Sequence, residues 1–263
     1  MKLGFTQVYN EVDWIGFAID QAMKLCDKLL IVEGSQFVAF SDVPERSDDG
    51  TLDIIADKKN QYPKRIEVVN AIREHNNYRL NQCAIFNLGL TFCDRGDYFI
   101  QLDADEFYFD EWIAEANELM REGEVDLIKA LNCDFAFGFK WRIEFGASQP
   151  NPLIVKKTER FHFVPTHKWV NPGENVIIIS QVGRYHYSWV KPRKRILLRM
   201  RTSRRYSNME GWFKKHWDDF VLEDGKEYPY FRGKFRLHRY EGEHPFILTN
   251  HPWRNVEDIR SIS

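Results

Sequence analysis

The chain has 263 residues, 43% hydrophobic and 15% aromatic, with a formal net charge of −2 at pH 7. That length holds one large domain or two small ones, and the composition is that of a folded protein. A charge this close to zero excludes a globally basic nucleic-acid binder, so no nucleic acid is expected as a partner.

Cys26, Cys83, Cys93 and Cys133 lack C-x-x-C spacing and lie in apolar segments, which predicts buried free thiols in a reducing compartment. The first ten residues contain no signal-peptide h-region, and no run approaches the ~20 apolar residues of a membrane span. The expected location is cytoplasmic, with peripheral membrane contact as an added option.

In chain order, residues 3 to 9 read as a strand. Asn10 then reads as the N-cap of a helix carrying Ile15, Ala18, Ile19, Ala22, Met23 and Cys26 on one face. Residues 29 to 32 form a short apolar strand closed by Glu33-Gly34-Ser35. The polar stretch 36 to 63 predicts a loop region. A helix over 79 to 93 turns Leu80, Cys83, Ala84, Leu88 and Phe92 inward, and a strand over 98 to 102 follows. The next helix, over 111 to 121, ends at Gly123 as a left-handed C-cap, and 125 to 131 is a further strand.

Strands apolar on both faces, separated by helices, imply an α/β fold with a mostly parallel sheet covered on both sides. In such sheets ligands bind beyond the carboxyl ends of the strands. The polar groups there run from Gln7 to Glu11, over Glu33-Gly34-Ser35 and over Asp103-Ala104-Asp105, and all three are expected to face one crevice. From 133 to 189 the chain has short strands, aromatics and turns such as 146 to 151. Two helical patterns follow, the second built on Trp212, Phe213, His216, Trp217, Phe220 and Val221. The expected halves are 1–133 and 134–263, the second ending in C-terminal helices, in one continuous globule.

The stretch Tyr98-Phe99-Ile100-Gln101-Leu102 delivers Asp103, Asp105 and Glu106 directly behind an apolar strand. Carboxylates next to a buried strand are costly unless something offsets their charge. Two Asp at i and i+2 on a chain leaving a strand can converge on Mg²⁺ or Mn²⁺. Such an ion attracts a diphosphate and assists its departure as a Lewis acid. The bland alternative is a pair of solvated turn residues.

Asn87-Leu88-Gly89-Leu90, then Gly96-Asp97-Tyr98 through Leu102-Asp103-Ala104-Asp105, resembles the GT-A-fold glycosyltransferases, especially family 2. Tyr9-Asn10-Glu11 is similar to their Y-N-E, and Val32-Glu33-Gly34-Ser35 to their V-D-D-G-S. The likeness covers residues 3 to 110 and fades beyond. It implies a nucleotide-diphospho-sugar donor with Mn²⁺ or Mg²⁺ as cofactor. It places Gln7, Glu11 and Glu33 around base and ribose, Asp103 on ribose or metal with Ala104 between, and Asp105 as principal metal ligand. The family's Ala-Arg before N-x-G-L is Ile85-Phe86 here, which leaves Arg79 to substitute. The Q-x-x-R-W motif of processive synthases is absent, so transfer of a single sugar is expected.

The later half supplies the remaining candidates. His186, in Tyr185-His186-Tyr187, is the expected third metal ligand, with His162 and His167 as rivals. An inverting transfer needs a base for the acceptor hydroxyl, and a retaining one does not. Asp134 ranks first, with Glu144, Glu159 and Glu174 also available.

Residues 191 to 205 hold eight basic side chains in fifteen. They read as a solvated helix face, as contacts to the donor diphosphate, or as contacts to anionic membrane lipid carrying the acceptor. Trp141, Trp169 and Trp189 suit either a core or stacking on sugar rings. The resemblance implies a hydroxyl acceptor on a glycan, a lipid-linked sugar or a small molecule. The competing functions are a nucleotidyltransferase acting on sugar phosphates, disfavoured by Gln7-Val8-Tyr9-Asn10-Glu11 in place of a Gly-rich basic loop, and a non-catalytic carbohydrate-binding protein.

Overall fold

A computed structural model describes residues 1–36, 43–75, 77–144, 151–165, 168–202, 211, 213–230 and 233–262. The first half runs β1 (Lys2–Val8), α1 (Ile15–Leu25), β2 (Lys28–Glu33), α2 (Thr51–Gln61), β3 (Ile66–Asn70), α3 (Tyr78–Thr91), β4 (Tyr98–Gln101), β5 (Glu106–Phe107) and α4 (Asp110–Glu122). The second half continues with β6 (Leu127–Ala136), β7 (Trp141–Glu144), β8 (Asn151–Lys156), β9 (His162–Val164), β10 (Lys168–Val170), β11 (Val176–Trp189), α5 (Arg193–Thr202), β12 (Lys226–Tyr230) and β13 (Gly233–Arg239).

Eleven of these strands make one mixed sheet in the order β12-β13-β7-β6-β8-β4-β1-β2-β3, with β11 beside β6 and β5 on β11. The fold is α/β, a large mixed sheet flanked by helices. The parallel expectation holds for the run β3-β2-β1-β4 and for β6 with β11. It does not hold for the rest: β8 lies antiparallel between β4 and β6, and β7, β13 and β12 extend the sheet antiparallel. Hairpin-length connections favour antiparallel pairing, whereas parallel pairs need a crossover. The halves meet inside β6, which contains residue 134.

The side-chain alternation of the central strands separates two cores. Leu29 and Ile31 with Tyr98, Ile100 and Leu102 face α1, α4 and Ile55 of α2. Leu3, Phe5, Leu30, Val32 and Phe99 face α3 and the aromatics of β9. Each fully buried aliphatic contributes about 1.5–3 kcal/mol relative to exposure, so strands covered on both sides read as unbroken apolar runs. A third, aromatic core joins the second half to the start of α1 through Trp14, Phe135, Tyr187 and Trp253.

Three sequence expectations change. Asn10 is not an N-cap: it adopts φ 53° and α1 begins after Trp14. Its backbone N–H instead donates to Ser47 Oγ at 2.8 Å, and its side-chain oxygen accepts from the Asp48 N–H at 3.0 Å. The stretch 36 to 63 contains α2, which buries only Thr51 and Ile55. In α3 the inward residues are Asn81, Ile85, Phe86, Gly89 and Leu90, while Leu80 is exposed. Asp110–Glu122 does end on Gly123 in the left-handed region, at φ 76°. Residues 146 to 150, His167, Trp212 and 203 to 205 lie outside the described residues.

Candidate functional site

The order β3-β2-β1-β4 places β1 between strands reached by opposite chain directions. Ligand crevices of open α/β sheets form at such a switch, beyond the carboxyl ends. A cleft of about 220 Å³ lies there. Beyond β1 its wall is Gln7, Tyr9, Asn10 and Glu11; beyond β4 it is Gln101, Asp103, Ala104 and Asp105. Gln82 and Phe86 come from α3, and Lys191, Arg195 and Leu198 close it from the far end of the chain. A smaller depression of about 90 Å³, bordered by Arg79, Phe163 and Trp169, shares Gln82, Phe86 and Gln101 with it. Gln7 Nε2 and Gln82 Oε1 are buried without a hydrogen-bond partner among the described residues. Such amides in a cleft wall are set to meet a polar ligand edge.

The acids here are held by cations of the chain itself. Lys191, with its side chain 3% exposed, places Nζ 2.8 Å from Asp105 Oδ2 and also ion-pairs with Glu11. Arg195 bridges Asp13 at 3.1 Å and Asp49 at 2.8 Å and donates to the Asn10 carbonyl. The Asp105 carbonyl accepts from the Tyr187 N–H at 2.9 Å, fixing the acidic turn to β11.

Behind the cleft, His186 lies across from Glu106 on β5 and from Asp134 on β6. Its Nε2 stands 3.5 Å from Asp105 Oδ1, and its Nδ1 donates to Asp134 Oδ1 at 2.7 Å. Burial opposes a charged ring, but the Asp105 and Asp134 carboxylates outweigh it and hold the His186 pKa well above its ordinary value. Glu106 is pushed up to about 7 by burial, against the pull of Arg184, whose guanidinium lies 2.9 Å away.

No protein-family model matches this chain. No curated protein matches it either. Among solved structures it is similar to the mannose-6-phosphate isomerase of Helicobacter pylori, at 12% identity and a TM-score of 0.31. That match covers 61% of this chain and 62% of the isomerase structure, and a likeness so slight fixes neither fold nor activity.

Of the sequence candidates, Gln7, Glu11, Asp103, Ala104 and Asp105 come together in the cleft, and Arg79 borders the adjoining depression. Glu33 does not face it. Its carboxylate is fully buried, ion-paired with Arg46 and accepting from the Ser47 N–H at 2.7 Å, so it anchors the chain before α2. Asp134 accepts a hydrogen bond from His186 Nδ1 at 2.7 Å and does not line the cleft. Glu159 follows β8, and because β8 runs antiparallel to β4 it emerges at the opposite end of the sheet. There it is exposed and pairs with Arg95 at 2.6 Å.

His162 is exposed, and its ring bonds the nearby Arg160 carbonyl at 2.9 Å. Trp141 and Trp189 are core residues, and Trp169 is half-buried at the depression. The basic segment is less free than its composition suggests, since Lys191, Arg193 and Arg195 all have carboxylate partners within the chain. Residues that sequence reasoning missed include Gln82 in the cleft wall, and Arg184, Asp13 and Asp49 around it. The ion pairs of Arg184, Asp13 and Asp49 all reach across long stretches of sequence, so no local pattern marks them.

A divalent ion can be tested against this donor set. Among the described residues no group of three or more His, Cys, Asp or Glu side chains is placed to hold a metal. Mg²⁺-type sites commonly use one or two carboxylates, with water and substrate phosphates completing the shell. Asp103 and Asp105 supply that minimum in an acid-rich cleft wall, and His186 turns Nε2 toward Asp105 with Nδ1 anchored on a carboxylate. With both ring nitrogens facing carboxylates and its pKa held above the ordinary value, His186 offers an ion no lone pair in this arrangement. Two carboxylates are what such an ion commonly takes from a protein, with water and phosphate as the remainder of its shell.

Proposed function

We propose that the chain is a non-processive glycosyltransferase of the GT-A type, moving one sugar from a nucleotide-diphospho-sugar to a hydroxyl acceptor. One observation carries the reading: Glu11 beyond β1 and Asp103-Ala104-Asp105 beyond β4 converge at the switch point with Lys191 and Arg195. A ligand drawn to carboxylates, to cations and to the unpartnered amides of Gln7 and Gln82 is polar, extended and phosphorylated. The resemblance over residues 3 to 110 gives that ligand a class.

Asp103 and Asp105 would hold Mn²⁺ or Mg²⁺, with His186 beside Asp105. When bound, the ion supplies Lewis-acid stabilisation of the leaving diphosphate. The rest belongs to the chain. Lys191 and Arg195 add positive charge where the leaving group develops negative charge. Gln7 and Gln82 offer a donor and an acceptor to the polar edge of the nucleotide. Phe86 and Trp169 give an apolar wall continuing toward the depression, where an acceptor sugar ring can stack. Asp134 holds His186 in orientation and takes no proton from the acceptor. Among the described residues no helix is long and apolar enough to cross a membrane.

The test is a screen of nucleotide-sugars and nucleoside diphosphates by melting temperature, with and without Mn²⁺, followed by assay of nucleoside diphosphate release. A ligand that binds only the folded state raises the melting temperature with its occupancy. A Mn²⁺-dependent shift confined to one nucleotide family, with turnover of its sugar conjugate, is the expected result. Absence of a shift with every diphosphate would return the acids to a structural role.

A further inference from the structure

The charge arrangement at Asp105 leads beyond the identity of the donor, though it rests on that donor being a diphosphate. Lys191 is nearly sealed from solvent and spans Glu11, after β1, and Asp105, after β4. An ion placed on Asp105 would meet a like charge at contact distance, because Lys191 Nζ is only 2.8 Å from Oδ2. Lys191 in turn does not leave Asp105 without cost, since the buried ammonium would then keep only Glu11 of its two carboxylates.

A diphosphate removes the conflict by offering the ammonium new oxygens within the same cleft. The two cations also differ in chemistry. Arg195 is tied to Asp13, Asp49 and the Asn10 carbonyl, whereas Lys191 carries a compact charge on a flexible four-carbon stem.

We propose that Lys191 is a resident counter-ion that occupies Asp105 in the empty site and transfers to the diphosphate when divalent ion and donor enter together. The lysine thereby makes ion and donor binding mutually dependent. The ion alone is excluded by the lysine; the ion–diphosphate pair is accepted because it rehouses it. No bond is made or broken in the exchange, only ion pairs.

The experiment is calorimetric titration of the whole chain and of Lys191→Met with two probes: Mn²⁺ alone, and a preformed manganese–pyrophosphate complex. Lys191→Arg, which keeps the charge, and circular dichroism of each variant separate the effect from misfolding. Lys191→Met is expected to bind Mn²⁺ alone about tenfold or more tightly than the unmodified chain, and manganese pyrophosphate about tenfold more weakly; both lie in the usual range of site coupling. Lys191→Arg should behave like the unmodified chain toward Mn²⁺.

Equal or weaker Mn²⁺ binding by Lys191→Met overturns the proposal, as does a failure of Mn²⁺ to bind either protein. Should Lys191→Met not fold, Glu11→Gln takes its place: with one carboxylate neutralised, Lys191 concentrates on Asp105 and Mn²⁺ affinity should fall. A rise there has the same overturning force. The transferase reading fails separately: the opposed shifts without any sugar turnover would leave the lysine exchange standing and remove the proposed activity.

Discussion

At the scale of single residues, the carboxylates that the sequence groups together divide by their partners. Asp105 meets a lysine and a histidine in the cleft, whereas Glu33 is consumed by Arg46 and the Ser47 N–H. Their variants should therefore have opposite profiles. Asp105→Asn is expected to fold and to lose Mn²⁺-dependent nucleoside diphosphate binding, read by calorimetry. Glu33→Gln should instead lower stability in urea by about 1–3 kcal/mol, the range for losing charge-assisted bonds whose other partner, Arg46, is half-exposed, with binding kept in the folded fraction.

Strand ends were legible because an apolar run followed by acids marks a carboxyl edge. Which cation each acid meets was not, since Lys191 lies 180 residues from Glu11. Asp134 shows the same limit: its position after a strand was readable, but its bond to His186, 52 residues on, was not.

At the scale of elements, the long apolar patterns and the Gly123 stop were readable, and α2 was not. Thr51–Gln61 buries two residues, so its apolar stripe is too narrow to separate helix from loop. The face of α3 was misread for a packing reason. Gly89 lets that helix settle against the sheet, where an added Cβ would lie 2.6 Å from the Phe5 ring and 3.2 Å from Phe99. This close approach turns Ile85, Phe86 and Leu90 inward and leaves Leu80 outside. Gly89→Ala is accordingly expected to cost about 1–3 kcal/mol, the usual range for overpacking, although alanine favours helices. A urea midpoint that does not fall would contradict the packing argument.

At the scale of the whole molecule, the aromatic core couples stability to pH. Burial lowers the pKa of His251 to about 4, and burial with nearby Arg254 lowers that of His244 to about 3. His251 stacks on Trp14 at 4.1 Å, and His244 bonds the Tyr187 hydroxyl at 2.6 Å. Both rings stay neutral in the fold but take up protons in the unfolded chain below about pH 6.5. Each therefore removes stability as pH falls from there toward its folded pKa, by up to about 1.4 kcal/mol per pH unit. Glu106, raised to about 7, has the opposite sign over the upper part of that window, because the fold binds its proton first. His251→Gln isolates one contribution. The slope of its unfolding free energy against pH should be shallower between 6.5 and 4, and an unchanged slope would mean that His251 is charged in the fold.

The cleft is also a seam in time. Glu11 waits for Lys191, Asn10 for Arg195 185 positions later, and Asp13 for His251 238 positions later. Closing loops of that length costs roughly 2–3 kcal/mol more than closing ten-residue ones. Pairings so remote in sequence form late in folding. A ribosome-bound chain that has released only its first hundred or so residues carries β1 to β4 with their acids uncovered and the answering cations still unmade. The sheet can begin to assemble while the polypeptide is growing; the place where a ligand would sit comes into being only when the last third of it has arrived.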